Sequence, residues 1–374
     1  MKIAIIGTRG VPAHYGGFET CAEEISTGLV ERGHRVTVYC RQGNSSSDEG
    51  EYKGVRLVYV PCLKTKIFGT LSHSFFSFLH SLFHDYDILM VFNVAASPLC
   101  VIPKMFFKKI VLNVDGMEWK RRKWGAIGRR YYQACASLAF LAADRIVADA
   151  EFIQEYYENK FNTSSTFIAY GAREERPSNP EILKEYTVEK NKYFFVLCRL
   201  EPENNTDLVV KAFETVKTDK KLLVVGGVNY KSAFVENLKK TKDKRIVFFG
   251  PVYNKEHIKE LYCNAYAYVH GHEAGGTSLA LLQAMGSGNC ILAFNGLSNA
   301  EVVGSSAILW DRSPDDLAGK MQYINDNPGE ADKYRVKALE RAKEYYSWDV
   351  IVDKYEGLFK KVSEGYYRTR KRSD

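Results

Sequence analysis

KIAIIGTRGVPAHYGGFETCAEEISTGLVERGHRVTVYC, residues 2–40, decides the fold of the first part of the chain. The stretch begins with a short apolar run that ends at a glycine, and it closes with the β-branched, apolar run 35–40. Between them, the pattern from about Phe18 to Arg32 predicts a helix, which Gly33 ends. Strand, helix and strand in this order predict a βαβ unit, and such units build parallel sheets with helices on both faces.

The same alternation continues along the chain. Further strands are predicted at 87–93, 110–114, 145–149, 193–198, 221–227, 245–250, 265–271 and 289–294. The series is interrupted at 170–192, which is charged, contains two prolines and lacks a clear apolar stripe, as expected of a linker. We therefore predict an α/β chain of two doubly wound domains, with a ligand in the cleft where the carboxyl ends of their strands face each other.

Length and composition support this organisation. The chain has 374 residues, 45% hydrophobic and 26% charged, which makes disorder, a collagen repeat or a bare coiled coil unlikely and favours two domains. The sequence has no apolar run of the length that a bilayer-spanning helix needs, and its opening is too short to be a secretion signal. Eight dispersed cysteines without a C-x-x-C pair suit a reducing cytoplasm.

The net charge of +7 favours anionic partners such as phosphates, nucleotides or acidic lipids. The excess is concentrated in Lys120, Arg121, Arg122, Lys123, Arg129 and Arg130, and at the end of the chain in Arg368, Arg370, Lys371 and Arg372. No zinc finger, RRM or homeodomain signature accompanies these clusters, so nucleic acid is not expected as a partner.

The glycine-rich loop at 7–20 is the first candidate binding element. Its glycines let backbone amides approach a ligand, and the following helix points its positive end at the same place. The loop is not a G-x-G-x-x-G motif, and Cys40 and Arg41 stand where a dinucleotide site needs an acidic residue. A nicotinamide dinucleotide is therefore disfavoured, and an inert connection is the alternative.

Two loops of the second half carry the other candidates. Arg199, in CRLEPENN (198–205), can grip phosphate oxygens at a strand end, or can simply pair with Glu201 or Glu203. In HGHEAGGTSLALLQAMGSG (270–288), two glycines, Thr277 and Ser278 open an apolar helix whose amides form an anion site.

A metal site is not expected in that second loop. His270 and His272 are separated by one residue, and we expect their side chains on opposite faces of the strand, which argues against zinc.

Segment 63–84 has the spacing of an amphipathic helix. Phe68, Leu71, Phe75, Phe78 and Leu82 fall on one predicted face, and Lys66, His73, Ser77, His80 and His84 on another. The helix either packs into the core or lies on a membrane surface, aided by the basic and aromatic cluster 119–130.

Six ordered motifs together resemble one enzyme family. They are TRGVPAHYGGFET (8–20), VDGMEWKRRKW (114–124), STFIAYGA (165–172), RLEPENN (199–205), HGHEAGGTSLALLQAMGSG (270–288) and YSWDVIVDKYEGLF (346–359). In this order they resemble the retaining glycosyltransferases of family 4, with the GT-B fold, in the branch that contains bacterial rhamnosyltransferases of surface-polysaccharide assembly. The resemblance implies two Rossmann-like domains facing a central cleft and a C-terminal helix that crosses back to the first domain.

The resemblance divides the chain into an acceptor-side domain at 1–175, a linker at 176–192, a nucleotide-sugar-binding domain at 193–346, and a crossover helix with a basic tail at 347–374. It implies a metal-independent transfer, without a cofactor, from a nucleotide-diphosphate sugar to a saccharide acceptor that is often polyprenyl-linked. The enzyme would act in the cytoplasm, peripherally on the inner face of the plasma membrane.

The resemblance also assigns roles to individual residues. Catalytic roles fall to Arg199, Glu273 and Asp115, and Glu118 is an acceptor-side contact, although Asp115 and Glu118 could equally be structural partners of the neighbouring arginines. Donor binding is assigned to Gly16, Gly17, Asn204, Asn205, Val252, His272, Gly275, Gly276, Thr277, Ser278 and Gln283.

Three positions depart from the family pattern. Asn204–Asn205 stands where relatives usually carry a lysine. Gln283 replaces the second acid of the pair, and nine residues separate it from Glu273 where seven is usual. Asp115 replaces a histidine that meets the 6-hydroxyl of the donor, which a 6-deoxysugar such as rhamnose would tolerate.

Two other functions remain open from the sequence. One is a sugar-nucleotide epimerase on the same fold, against which the motif at 114–124 counts. The other is a non-catalytic nucleotide-sugar-binding protein, which the changes at Asn204–Asn205 and Gln283 would suit.

Overall fold

A computed structural model describes residues 1–13, 16–42, 50–63, 65, 68–114, 116–120, 125–228, 230–273 and 275–366. The chain divides into two compact units: Met1–Tyr170 with the segment that begins at Trp348, and Gly171–Ser347. Each unit is built on a parallel sheet, as predicted for the two α/β domains. No helix of the described residues is long and apolar enough to cross a membrane.

The first unit has a sheet in the order β3-β4-β2-β1-β5-β6-β7-β8. Its strands are β1 (Lys2–Ile6), β2 (Arg35–Arg41), β3 (Glu51–Tyr52), β4 (Val55–Val60), β5 (Ile88–Phe92), β6 (Ile110–Asn113), β7 (Arg145–Ala148) and β8 (Thr166–Phe167). Its helices are α1 (Gly17–Glu31), α2 (Phe68–Leu82), α3 (Val101–Met105), α4 (Ala126–Ala142) and α5 (Glu151–Phe161), with 3₁₀ helices at Val94–Cys100 and Glu118–Lys120. All pairs are parallel except the β3–β4 hairpin.

The core of this unit lies between the sheet and the helices α2, α4 and α5. Alternate residues of the strands, such as Ala4, Ile6 and Leu89, pack with Phe78 of α2 and Ala136 of α4. The crossovers from β4 through β8 all run in one direction across the sheet, and right-handed crossovers place their helices on the same face. The path from β1 to β2 runs the opposite way, which puts α1 on the other face.

The second unit has a sheet in the order β11-β10-β9-β12-β13-β14, with all strands parallel. Its strands are β9 (Tyr193–Leu197), β10 (Lys221–Val225), β11 (Ile246–Phe249), β12 (Ala267–His270), β13 (Cys290–Phe294) and β14 (Ile308–Trp310). The helices follow as α6 (Thr206–Thr215), α7 (Ala233–Leu238), α8 (Lys255–Cys263), α9 (Leu279–Gly286), α10 (Leu297–Val303), α11 (Pro314–Asp326) and α12 (Pro328–Tyr346).

The predicted linker 176–192 lies inside the second unit rather than between the units. Its central part is a 3₁₀ helix, Pro180–Tyr186, that buries Ile182, Leu183 and Tyr186. A helix this short buries only three apolar side chains, which are too few to show a helical period in the sequence. The stretch therefore resembles a linker.

The C-terminal helix α13 (Trp348–Ser363) belongs to the first unit, as predicted. Its buried side chains Ile351, Tyr355 and Phe359 recur at helical spacing and face α1 and the sheet. The phenol of Tyr355 accepts a hydrogen bond of 3.1 Å from the Asn113 amide at the end of β6. The chain thus enters the second unit once and returns to complete the first.

Helix α2 buries a different face from the one that the sequence predicts. His73, Ser77 and Phe78 are fully buried together, although His73 and Ser77 were assigned to the polar face and Phe78 to the apolar face. The exposed side chains of this helix are aromatic or aliphatic, and Phe75 is among them. Small serines fit closely against the underlying structure, whereas a row of phenylalanines would not.

Glu260 of α8 holds the segment at residues 178–179, near the start of the second unit, in place. Its carboxylate is fully buried and accepts hydrogen bonds from the backbone amides of Ser178 and Asn179 at 2.6 and 3.0 Å. The Asn264 amide donates to it at 3.0 Å. Burial alone would raise the pKa of this carboxyl, but the hydrogen bonds outweigh burial and hold the pKa below its ordinary value.

Replacing Glu260 by glutamine is expected to lower the free energy of unfolding at neutral pH by about 2 kcal/mol, because the charged acceptor is lost. A lowered folded-state pKa contributes stability above the unfolded pKa of about 4.3 and loses it as the pH falls through the folded value. The free energies of unfolding measured in urea should therefore differ by this full amount at neutral pH and become equal in acid. The exposed Glu181→Gln serves as the control, and equal stabilities at neutral pH would contradict the assignment.

Candidate functional site

The candidate site of the second unit lies where its sheet changes direction. Connections from β9 run towards β11, whereas those from β12 run towards β14, so β9 and β12 are neighbours at the switch point. Open parallel sheets bind ligands at this point, outside the carboxyl ends of the strands. A cavity of about 110 Å³ lies here, lined by residues that end both strands. Its polar lining includes Arg199, Asn204, His270, His272 and Ser278.

Hydrogen bonds join the loop after β9 to the loop after β12. The Asn204 side chain donates from Nδ2 to the carbonyl of Arg199 at 2.6 Å, and its Oδ1 lies 2.6 Å from Nδ1 of His272. Asn205 donates to the carbonyl of Gly271 at 2.9 Å. Both asparagines are buried. They therefore act in the structure as connectors between the two loops.

The geometry also fixes the imidazole of His272. Because Nδ2 of Asn204 donates to Arg199, Oδ1 is the atom that faces His272, and it can only accept. Nδ1 of His272 must then carry the proton. The opposite nitrogen, Nε2, lies towards Gly275, where an added Cβ would be 3.1 Å away from it.

The expectation that His270 and His272 point to opposite faces is wrong. Both line the same cavity, with ring centroids 6.0 Å apart, because residues two apart share one face of a strand. Burial, and secondarily the neighbouring His272, lower the pKa of His270 to about 3, so His270 is a neutral imidazole. Its buried Nε2 has no hydrogen-bond partner among the described residues. The described residues contain no cluster of three or more side chains that could hold a metal ion.

Arg199 lies at the edge of the cavity and near a glutamate, so its position is compatible both with phosphate binding and with the predicted ion pair. Its guanidinium is 43% exposed and lies 3.7 Å from the Glu201 carboxylate, which is a loose ion pair. An exposed arginine with one distant partner keeps donors for another anion. The structure therefore leaves Arg199 able to bind a phosphate at the cavity.

Glu273 lies just beyond the cavity lining and is held by a residue that sequence analysis missed. Arg312, after β14, donates to its carboxylate at 2.7 Å. The Glu273 amide in turn donates to the carbonyl of Glu203 at 3.0 Å. The loop after β12 is thus joined to the loop after β9 and to the loop after β14, and Arg312 directs the carboxylate of Glu273.

The glycine-rich segment at the start of α9 is supported from α10. Ser298 donates to the carbonyl of Gly276 at 2.5 Å, and Asn299 donates to the carbonyl of His272 at 2.8 Å. The predicted helix begins at Leu279, with Ser278 as its N-cap residue and no capping hydrogen bond from that side chain. Thr277 is buried. The first amides of α9 therefore lie beside the cavity that Ser278 lines.

Two predicted donor residues stand away from this cluster. Gln283 is half-buried on the second turn of α9, and Val252 is half-buried in the loop after β11. Neither lines the cavity at the switch point.

The remaining predicted site residues belong to the first unit. Gly16 has a φ of 105° and is the N-cap residue of α1, and Gly17 is the first residue of that helix. Glu19 of α1 accepts a hydrogen bond from the Arg9 amide at 3.0 Å, which holds the preceding loop against the helix. Glu118 is half-buried in its 3₁₀ helix. Asp115 lies outside the described residues.

Part of the predicted basic and aromatic cluster at 119–130 also lies outside them, namely Arg121, Arg122, Lys123 and Trp124, as does the basic tail after residue 366. Trp119 does not belong to a surface cluster. It is 6% exposed and packs against Tyr156 and Tyr157 in the core.

Two family models match the chain, one on each half. Residues 15–170 match the model described as Glycosyltransferase Family 4, and residues 178–345 match Glycosyl transferases group 1. A curated relative, an uncharacterised glycosyltransferase of Methanocaldococcus jannaschii, is 24% identical over 97% of this chain and 99% of its own length.

Solved structures show the same fold. Sucrose-phosphate synthase from Thermosynechococcus elongatus superposes with a TM-score of 0.81 at 16% identity, covering 97% of this chain and 99% of that one. The Anabaena protein HepE, solved with UDP and glucose, superposes with a TM-score of 0.77 at 14% identity, covering 96% and 99%. Both share the GT-B architecture of two parallel-sheet domains.

Proposed function

This chain is a glycosyltransferase of the family 4 and group 1 type, and we propose that it transfers a sugar, with retention, from a nucleotide-diphosphate donor to a saccharide acceptor. The cavity at the switch point between β9 and β12 is the observation that carries this proposal. It combines an arginine, an imidazole of defined orientation and a helix start, which together suit an anion.

The donor diphosphate binds against the first turn of α9. Backbone amides near Gly276 and the Ser278 hydroxyl donate to phosphate oxygens, and the Arg199 guanidinium neutralises their charge from the opposite loop. HepE has been solved in complex with UDP-glucose and in complex with UDP and glucose. The family resemblance assigns Gly16 and Gly17 of the first unit to donor binding as well, through their backbone amides.

The reaction breaks the bond between the anomeric carbon of the sugar and the phosphate oxygen. The electron pair of that bond leaves with the nucleoside diphosphate, and an oxocarbenium-like sugar remains. An acceptor hydroxyl attacks from the face that the diphosphate leaves, and its proton passes to a phosphate oxygen. The protein contributes mainly fixed positive groups that stabilise the charge developing on the diphosphate, and no metal ion is needed.

His272 compensates for the missing lysine in this proposal. Its Nδ1 proton is committed to Asn204, so a second proton on Nε2 makes the imidazole a cation directed towards Gly275. A bound diphosphate favours that charged form. Asn204 is then a positioning residue. Together, Asn204 and His272 supply the positive charge that the lysine supplies in relatives.

The donor sugar proposed is rhamnose, supplied as dTDP-rhamnose, and the acceptor is a polyprenyl-linked saccharide of polysaccharide assembly. Asp115 in place of a histidine supports a sugar without a 6-hydroxyl group. Val252 would contact the base and Gln283 the ribose, where an amide can replace a carboxylate as hydrogen-bond partner. Glu273 would contact the sugar, oriented by Arg312, and Glu118 the acceptor.

Thermal unfolding with a panel of dTDP-, UDP- and GDP-sugars tests the donor. A ligand at about 100 times its Kd stabilises the folded state by about 2.7 kcal/mol, so a bound donor gives a clear upward shift. We expect the largest shift with dTDP-rhamnose, unchanged by EDTA. A larger shift with a UDP- or GDP-sugar would contradict the rhamnose assignment, and loss of the shift in EDTA would contradict metal independence.

The two other functions have separate signatures. An epimerase would release a free epimer without an acceptor, and a non-catalytic protein would bind donors and leave them intact. The matched family models are those of glycosyltransferases and favour neither alternative.

A further inference from the structure

Helix α2 exposes an apolar stripe to solvent. The exposed side chains are Phe68 (58%), Phe75 (37%), Phe76 (41%), Leu79 (36%) and Phe83 (86%), the last just past the helix end. At about 100° per residue they fall within one arc of about 100°. The opposite arc, with His73, Ser74, Ser77 and Ser81, is buried. A surface helix normally buries its apolar face and exposes its polar face.

The exposed stripe continues at the end of α3. Met105, Phe106 and Phe107 are all exposed for more than half of their surface. The next residue, Lys108, donates from Nζ to the carbonyl of His84 at 2.7 Å, which brings this turn beside the end of α2 and its neighbour Phe83. Phe107 has a φ of 59°, an unusual conformation for an aromatic residue. Four large apolar side chains are thus presented together at one corner of the unit.

Helix α4 extends the surface. It exposes Ile127, Leu138 and Leu141, and both α2 and α4 pack on the 3₁₀ helix Val94–Cys100. Elsewhere among the described residues, the large exposed apolar side chains other than tyrosines are Leu63, Val101, Phe249, Leu297 and Val336. Single exposed apolar residues are ordinary, but a concentration on adjacent helices marks an interaction surface.

The helices that form this surface carry no acidic residue, and Asp85 and Asp87 follow the end of α2 as exposed acids. Residues 54–84, 88–114 and 125–143 contain no aspartate or glutamate. Lys104 and Lys108 flank the exposed turn of α3, and Arg129 and Arg130 are exposed at the start of α4. Lys104 pairs at 2.6 Å with Asp144, which follows α4. Lys108, Arg129 and Arg130 therefore give the elements of the apolar face a positive excess, which an anionic partner complements.

We propose that this apolar face, formed by the exposed side chains of α2, the α3 turn and α4, inserts into the headgroup region of an anionic lipid bilayer. Phenylalanine, leucine and methionine side chains bury apolar area there while the bordering lysines and arginines meet lipid phosphates. A second copy of the chain fits less well, because two such faces would bring Arg129 and Arg130 of each copy against like charge. The inference does not depend on the donor site.

Co-sedimentation of the full chain with vesicles, without nucleotide, tests the proposal. Wild-type protein should bind vesicles of equal parts phosphatidylglycerol and phosphatidylcholine, and bind phosphatidylcholine alone at least about tenfold more weakly. Phe83→Ser with Phe107→Asn should weaken binding to the anionic vesicles by about tenfold or more, and asparagine keeps the φ of residue 107 accessible. Arg129→Gln with Arg130→Gln should weaken it by about tenfold.

Val336→Ser with Tyr323→Ser, which removes exposed side chains of the second unit, is the matched control and should bind as the wild type does. Circular dichroism melting checks that each variant is folded. Absence of wild-type binding, equal binding to both vesicle types, or unchanged binding of the phenylalanine variant would each overturn the proposal. So would a dimer in sedimentation velocity that the phenylalanine variant abolishes, since the face would then be a contact between two copies. Failure of donor binding would leave these outcomes unaffected.

Discussion

Replacing Arg199 by alanine is expected to lower kcat for sugar transfer by about 10²-fold, the effect of losing one preorganised group that stabilises a developing anion. Arg199 lies at the carboxyl end of β9, lines the cavity and has only a loose contact of 3.7 Å with Glu201. Its removal leaves no buried partner unpaired. The loss should therefore be in the reaction and not in the fold.

Two further variants separate this effect from others. Arg199→Lys should recover part of the rate, because a charge returns without the planar fork of donors. Arg176→Ala removes an exposed arginine of the same unit that pairs with Glu174, and it should leave kcat unchanged. Near-normal turnover of Arg199→Ala, measured as release of nucleoside diphosphate, would remove Arg199 from the site.

Replacing Gly271 by alanine is expected to weaken donor binding by about tenfold or more. A Cβ at this position would be 2.2 Å from the carbonyl oxygen of Asn204, so the loops after β9 and β12 must separate. That separation would break the hydrogen bond from Asn205 to Gly271 and move His272 away from Asn204. Overpacking of this kind also costs about 1–3 kcal/mol of stability.

Gly319→Ala provides the matched control for Gly271→Ala. Gly319 lies within α11 with no atom within 4 Å of an added Cβ, so alanine there should stabilise the helix by about 0.5–1 kcal/mol. Titration calorimetry with the donor found in the thermal panel measures the affinity of both variants. Donor binding by Gly271→Ala at wild-type strength would show that the joined loops are not the binding site.

The strands of the fold were predictable because they are buried on both faces. Runs such as 2–6 and 193–198 are continuously apolar, and the structure has strands at Lys2–Ile6 and Tyr193–Leu197. Four strands were missed. The strands β3, β8 and β14 have only two or three residues, too few to show a period. The strand β4 has six residues, but only half of them are buried, so it lacks the continuous apolar run that marked the others. The orientation of α2 was also missed. Its sequence has two plausible faces, and only packing against the sheet decides which one is buried.

The candidate site was partly predictable for a related reason. Parallel sheets collect functional groups at the carboxyl ends of their strands, and Arg199 and His272 each follow a predicted strand. Arg312 and Asn299 have no such local signal, because they act on this loop from elements that are distant in sequence. The roles of Asn204 and Asn205 as connectors depend on contacts with residues about 70 positions away.

Acceptor-dependent release of nucleoside diphosphate tests the central claim most directly. The protein is incubated with the donor that stabilises it and with a polyprenyl-linked saccharide, and Arg199→Ala serves as the inactive control. The account predicts nucleoside diphosphate and an elongated saccharide in equal amounts, with the anomeric configuration of the donor retained. A donor that binds tightly but stays intact with such acceptors would contradict it and identify a protein that binds nucleotide sugars without transferring them.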